Sequence, residues 1–350
     1  MRRSRTGMSR RQFLSRAALT GAAATAATVG GVLPTIRRAA AATSGRKVTL
    51  RLSHSHVPDP VMSNLHINAL RFQELARQKT DNQLEIQIFP ANQLGEERAV
   101  AEGIKMGTID LMLSGTAIWV NLAPKFGLFD LPYLFTDFAR ARKIFAGPAA
   151  EDLAHHLTQT TGARVLGFIA SFGFRDVATK AKEVKNVEDL KGLKIRVIQT
   201  PTYVRTFELL GATPTPMAFG EVYIGVQTGV LDGWEHEAPT MVASKMYEVT
   251  KYVARTEHLF SVCTIIANSK KVDSLPAELK KALQDAARES CDYTFEIAPN
   301  KEEEGFKFLR GKGMVINAFD KAPAIQRVKG YWQEYAEKVK ATDILAKMVS

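Results

Sequence analysis

Two arginines, Arg175 and Arg196, stand among strand-forming residues. A guanidinium is planar, permanently charged and able to grip a carboxylate through two parallel hydrogen bonds. Arg196 lies in Lys194-Ile195-Arg196-Val197, where alternation sets its side chain opposite Ile195 and Val197. That face is either an exposed sheet surface or the wall of a cleft. Arg175 follows Ser171-Phe172-Gly173-Phe174 at the expected end of a strand over Arg164–Ala170, as a cleft residue or a loop arginine. Further on, Asp232-Gly233-Trp234-Glu235-His236 carries a histidine that can donate, accept or hold charge. Trp234, on the same strand face, either stacks on a ligand or fills the core. Phe219 ends Thr215-Pro216-Met217-Ala218-Phe219, and the acids Glu96 and Glu97 follow Gln93-Leu94-Gly95, with Arg98 next to them. His54 and His56 share a face by their spacing, but no third ligand at suggestive spacing accompanies them, so neither a metal nor a cofactor is expected. One of the pair is expected to line a cleft, and His54 is taken as that one.

Enzyme signatures are missing: no nucleophile elbow, phosphate-binding loop, dinucleotide fingerprint or zinc-protease helix occurs. The order of segments from Gly192 to Thr240 resembles instead the solute-binding proteins of TRAP transporters, the DctP-type family. It rests on Gly192-Leu193-Lys194-Ile195-Arg196-Val197, the Thr215–Phe219 segment and Asp232-Gly233, and extends over nearly the whole chain from Lys47 to Val339. The resemblance implies an α/β, two-lobed periplasmic fold with a ligand cleft between the lobes and a long helix linking them. It implies that Arg196 holds a ligand carboxylate, that Arg175 adds a contact, that Phe219 packs on the ligand and that one acid of the Glu96-Glu97 pair, taken as Glu97, approaches its polar groups. His236 departs from the asparagine of many members; with Trp234 it suggests a ligand other than a short dicarboxylate. The partners implied are a small organic acid and the membrane subunits of a TRAP permease. The competing reading is an exported α/β enzyme acting on organic acids, with His236 and Glu235 or Glu237 as its acid and base.

Positioning these residues requires a chain that is exported and folds in two parts. Ser9-Arg10-Arg11-Gln12-Phe13-Leu14 fits a twin-arginine export signal, followed by a weakly apolar segment to Leu33 and the small-residue run Ala39–Ala42. Residues 1–42 are therefore expected to be a removable leader. The chain has 47 basic and 36 acidic residues; taking away the eight arginines of the leader leaves 39 basic residues, a net charge of +3. Nucleic-acid binding loses its support, since no basic block survives, and no second run of membrane-spanning length follows. The mature chain alternates strand and helix signals, which argues for a sheet with helices on both faces. Residues 46–172 with 262–298 are expected as lobe I, and 173–261 with 299–350 as lobe II. A long helix from Pro276 should kink or break at Pro299, with a second helix over Lys301–Arg310 and a last one from Pro323 to Val339. Cys263 and Cys291 read as small buried hydrophobes or as a disulfide pair.

Overall fold

The computed structural model describes residues 47–350; the leader and its cleavage region lie outside them. Among the described residues one sheet of nine strands forms the frame. In chain order the strands are β1 (Val48–Ser53), β2 (Leu84–Phe89), β3 (Leu111–Gly115), β4 (Ala163–Thr179), β5 (Lys194–Val197), β6 (Thr213–Pro216), β7 (Gly233–His236), β8 (Tyr252–Asn268) and β9 (Val315–Ala318). Their spatial order is β2-β1-β3-β8-β4-β7-β5-β6, with β9 beside β8. The helices are α1 (Asn64–Lys79), α2 (Glu97–Met106), α3 (Phe138–Phe145), α4 (Pro148–Thr161), α5 (Pro201–Leu209), α6 (Val222–Gln227), α7 (Ala238–Ala243), α8 (Ser269–Asp273), α9 (Ala277–Gly311), α10 (Lys321–Val328), α11 (Tyr331–Lys338) and α12 (Thr342–Val349).

Strand alternation divides the core between the two faces of the sheet. Leu111 and Leu113 of β3, with Cys263, Ile265 and Ala267 of β8, pack under α1 and α9. The intervening Met112, Val262 and Ile266 face the other way, among Ile104 of α2, Leu153 of α4 and the aromatic cluster of Phe126, Phe129 and Phe135. Beyond the crossing, Val177, Ile195, Val197 and Ala254 pack with Tyr203 and Phe207 of α5. Ala178, Trp234 and Val253 pack with Met241 of α7 and Phe306 of α9 on the opposite side. The outer pairs are parallel, β1 with β2 and β3, and β5 with β6 and β7. The central pairs β3–β8, β8–β4 and β4–β7 are antiparallel.

The fold differs from the sequence reading in four places. The strand expected over Arg164–Ala170 lies in the first half of β4, which like its neighbour β8 is 17 residues long. Their alternation is interrupted by register shifts between Ala170 and Phe174 and between Arg175 and Val177, and Phe172, Gly173 and Glu257 all have positive φ. Arg175 therefore sits within a strand, not at its end. The helix expected to break at Pro299 is continuous from Ala277 to Gly311. Pro299 lies on its exposed side, while Thr294, Ala298, Glu302 and Phe306 are buried. Packing on one face holds the helix through the hydrogen bond that Pro299 cannot donate. The last expected helix is two, α10 and α11, parted at Gly330 (φ 95°), and a further helix, α12, follows Lys340 (φ 54°). Finally, Thr213-Pro214-Thr215-Pro216 forms the edge strand β6, where a residue without an N–H is tolerated. Cys263 and Cys291 are both buried and unpaired, in the same core.

Candidate functional site

Open α/β sheets bind ligands at the carboxyl ends of their strands. Here those ends converge on a narrow cavity. Ser55 and His56 follow β1, Gly115–Ile118 follow or end β3, Ile198 follows β5, and His236 ends β7. Arg175 and Ser171 of β4, Ser261 and Cys263 of β8, Tyr203 of α5, Glu97 of α2, and Asp130 and Phe219 complete the wall. An adjoining recess shares Glu97, Arg196, Ile198 and Phe219 and continues to Glu96, Arg98, Asn121 and Gln199. The Asn121 side chain donates to Gln199 O at 3.2 Å across its rim.

The two arginines have opposite surroundings. Arg175, 2% exposed, grips Glu235 with Nε and Nη2, the latter 2.7 Å from Oε1, and also donates to Glu235 O at 3.0 Å. Its guanidinium lies 5.3 Å over the Tyr203 ring, and Nη1 is 3.3 Å from Ser261 Oγ. Burial pushes the Glu235 carboxyl up, but Arg175 and then His258 pull it down to about 2. Arg196 is equally buried, yet its Nε and Nη2 both donate to one backbone oxygen, Met217 O, at 2.9 and 2.7 Å. Its Nη1 is buried without a partner among the described residues. Burial pushes its pKa down to about 10, with Glu235 and Glu97 offsetting only part of the loss.

The remaining wall is ordered by hydrogen bonds. Ser55 Oγ donates to Glu97 Oε1 at 3.0 Å, and burial raises the Glu97 carboxyl above its ordinary range. Ser171 and Thr240 hydroxyls donate to Glu237 Oε1 at 2.7 and 2.8 Å, and His236 Nδ1 meets the Glu237 carboxylate. Burial opposes the Glu237 charge, but His236 and Arg175 hold the carboxyl well below its usual range. His56 stacks on Phe219 at 4.9 Å and meets His236 edge-on at 5.7 Å. Burial lowers the His56 pKa to about 3, so this ring is neutral.

Of the residues singled out from sequence, Arg196, Arg175, His236, Phe219 and Glu97 share this wall. Trp234 and His54 do not. Trp234 is fully buried in the core behind His236, with ring centroids 5.3 Å apart. His54 turns towards His66, with Nε2 3.2 Å from Nδ1, and His56 takes the place at the cavity. The chain has left β1 at Ser53, so strand alternation no longer puts the two rings together. Asp130, Tyr203, Ser171 and Ser261 were not singled out, because they lie on four separate elements and only the fold assembles them. No group of three or more His, Cys, Asp or Glu among the described residues is arranged for a metal ion. No helix there is long and apolar enough to cross a membrane.

A mixed α/β molecule with a cavity at converging strand ends, walled by a buried cation that no acid pairs among the described residues, is built as a binding protein. Residues 54–338 match the family of bacterial extracellular solute-binding proteins, family 7 (DctP). The chain belongs to this family of TRAP periplasmic solute-binding proteins, which are receptors and not enzymes. It is 34% identical to a 2,3-diketo-L-gulonate-binding periplasmic protein of Escherichia coli, over 72% of this chain and 76% of the relative. A TRAP periplasmic solute-binding protein from Polaromonas sp. JS666, solved with D-erythronate, superposes with a TM-score of 0.82 at 27% identity, covering 87% of this chain and 99% of that one. Another, from Roseobacter denitrificans with L-galactonate, gives 0.79 at 26% identity, covering 88% and 100%.

Proposed function

We propose that this receptor captures an organic acid by an ion pair between the ligand carboxylate and Arg196, and delivers it to the membrane subunits of a TRAP permease. One observation carries the reading. Arg196 is a buried cation on the cavity wall that takes part in no ion pair among the described residues, whereas Arg175 has Glu235. A unit charge pair at 4 Å gains about 1 kcal/mol in water and about 4 kcal/mol at an effective dielectric of 20. An enclosed anion on Arg196 is therefore far better held than one on a surface lysine. The acids named for the three relatives support a carboxylate ligand.

Around this anchor, Phe219 and His56 give the ligand an apolar and stacking side. Glu97 and His236 offer polar contacts, and Arg175, neutralised by Glu235, orients His236 and Ser261. Trp234 supports His236 from behind. The lobe division proposed is 46–172 with 262–298 against 173–261 with 299–350, closing on the ligand by a hinge. Export by the twin-arginine signal of residues 9–14 completes the reading.

A thermal-shift screen of the purified protein against carboxylic acids, neutral sugars and metal salts tests it. Acids alone should raise the midpoint. Arg196→Ala should weaken binding of the best acid by about 2–5 kcal/mol in calorimetry, the range for a buried charged pair losing one member. Near-normal binding by that variant, or shifts confined to neutral sugars, would sink the assignment.

A further inference from the structure

The cavity has an outer and an inner end. Glu97, Arg196, Ile198 and Phe219 stand where it joins the recess that reaches Glu96 and Arg98, whereas Thr116, Asp130, Ser171, Tyr203 and Ser261 line only the inner part. A ligand anchored by its carboxylate on Arg196 turns the rest of its length inward. We propose that Asp130 Oδ2 accepts a hydrogen bond from a hydroxyl of the bound acid, and so makes this receptor selective for hydroxy acids over dicarboxylates. This rests on the Arg196–carboxylate reading above.

Asp130 ends the seven-residue 3-10 helix Pro124–Asp130 and is 2% exposed. Its Oδ1 accepts from Thr116 Oγ1 at 2.8 Å, which fixes the carboxyl plane. Its Oδ2 is buried with no partner among the described residues. A buried acceptor is costly to leave unsatisfied, and a ligand hydroxyl supplies the missing donor. The inner wall has no spare cation for a second carboxylate, because Arg175 is gripped by Glu235. A dicarboxylate would bring a negative charge towards Asp130, Glu235 and Glu237 with nothing to meet it.

The groups facing Asp130 are Thr116, Arg175 of β4, Glu235 of β7, Tyr203 of α5, and Tyr331 and Tyr335 of α11. Burial raises the Asp130 carboxyl to about 7; Thr116 and Arg175 oppose that rise and Glu235 adds to it. The ionised form is the acceptor, so hydroxy-acid affinity should climb as pH passes upward through this value.

The test is calorimetry of the purified protein with D-erythronate, L-galactonate, D-glucuronate and succinate, at pH 6 and pH 8. The tightest binder is then compared with its monodeoxy analogues on wild type, Asp130→Asn and Arg196→Ala. Asp130→Asn keeps an oxygen for Thr116 and removes the second acceptor. The expected result has four parts. A hydroxy acid binds best, and one deoxy analogue binds wild type at least tenfold more weakly. Asp130→Asn closes that gap by weakening the parent acid, and wild type gains affinity between pH 6 and pH 8 where the variant does not. Undiminished binding of the parent acid by Asp130→Asn, equal binding of every deoxy analogue, or succinate as the tightest ligand overturns the proposal. Loss of binding in Arg196→Ala alone leaves the carboxylate reading standing and removes this one. Acid binding that survives Arg196→Ala removes both. Should Asp130→Asn fail to fold, the deoxy series on wild type decides alone, since a site built to bond a hydroxyl rejects the analogue lacking it by a large factor.

Discussion

Arg175 and Arg196 bear the same charge at the same depth, and their neighbours give them different work. Arg175 is half of a buried ion pair whose geometry is nearly complete. Removing its closest partner by Glu235→Gln leaves the buried charge with only Glu237, 3.8 Å away and shared with His236, so urea unfolding should show a loss of about 3 kcal/mol. Arg196 lacks such a partner among the described residues, and its charge is unfavourable until a ligand arrives. Arg196→Met should therefore raise the ligand-free unfolding free energy by about 1 kcal/mol while abolishing acid binding; a clear loss of stability in the same urea titration would contradict that account. Arg196 was legible in the sequence because a short strand motif carries it. His56 was harder, since spacing gave it the same face as His54 and the chain leaves β1 just before both. Asp130 had no periodic signal at all, because a short 3-10 helix places it and its chemistry exists only through the distant Thr116.

At the level of elements, the bulged middle of β4 and β8 is held by α9. Glu302 Oε1 accepts from Phe174 N at 2.9 Å, next to Gly173 with φ of 118°. A Cβ on Gly173 would run into the Glu302 carboxyl and would force a left-handed alanine. Gly173→Ala should cost about 1–3 kcal/mol in chemical denaturation. The Glu302 bond is also pH-dependent. Burial raises its carboxyl from 4.5 to about 7, against the pull of the Phe174 amide and Arg255. Folding thus favours the protonated form: the contribution is full below pH 4.5 and lost as pH climbs through 7. Asp130, raised from 3.8 to about 7, slopes the same way. Glu235, lowered from 4.5 to about 2, acts at the other end and is lost only as pH falls below 4.5. His54 and His56, lowered from 6.5 to about 3, slope the opposite way below pH 6.5. The difference between variant and wild type isolates Glu302: Glu302→Gln should remove up to about 3 kcal/mol of stability loss between pH 5 and 7; an unchanged pH profile in the variant would refute the assignment. Short strands and amphipathic helices were readable from period and caps, as α1 and β5 show. The long strands were not, because their bulges break the alternation by which strands are recognised. Pro299 misled for a related reason, since tertiary packing overrode a local breaker.

For the whole molecule, the shared elements matter more than the boundaries between lobes. β4, β8 and α9 each contribute to cores on both sides of the cavity. Calorimetric unfolding should therefore be one cooperative transition. Ligand at 100 times its dissociation constant should move it as a unit, by about 2.7 kcal/mol of added stability; a second peak left in place by ligand would show independently folding halves. Two lobes and their cleft were foreseeable from the family resemblance and the chain's length, but the single continuous sheet was not, because non-local pairing leaves no periodic trace. β8 lies between β3 and β4 in that sheet, although it follows both in the chain. During synthesis, every nascent chain that stops short of Asn268 presents two open strand edges with nothing between them. Open edges invite pairing with other chains. The ribosome thus delivers the centrepiece of this sheet late, and a molecule built in that order gains from finishing its fold before it meets a membrane.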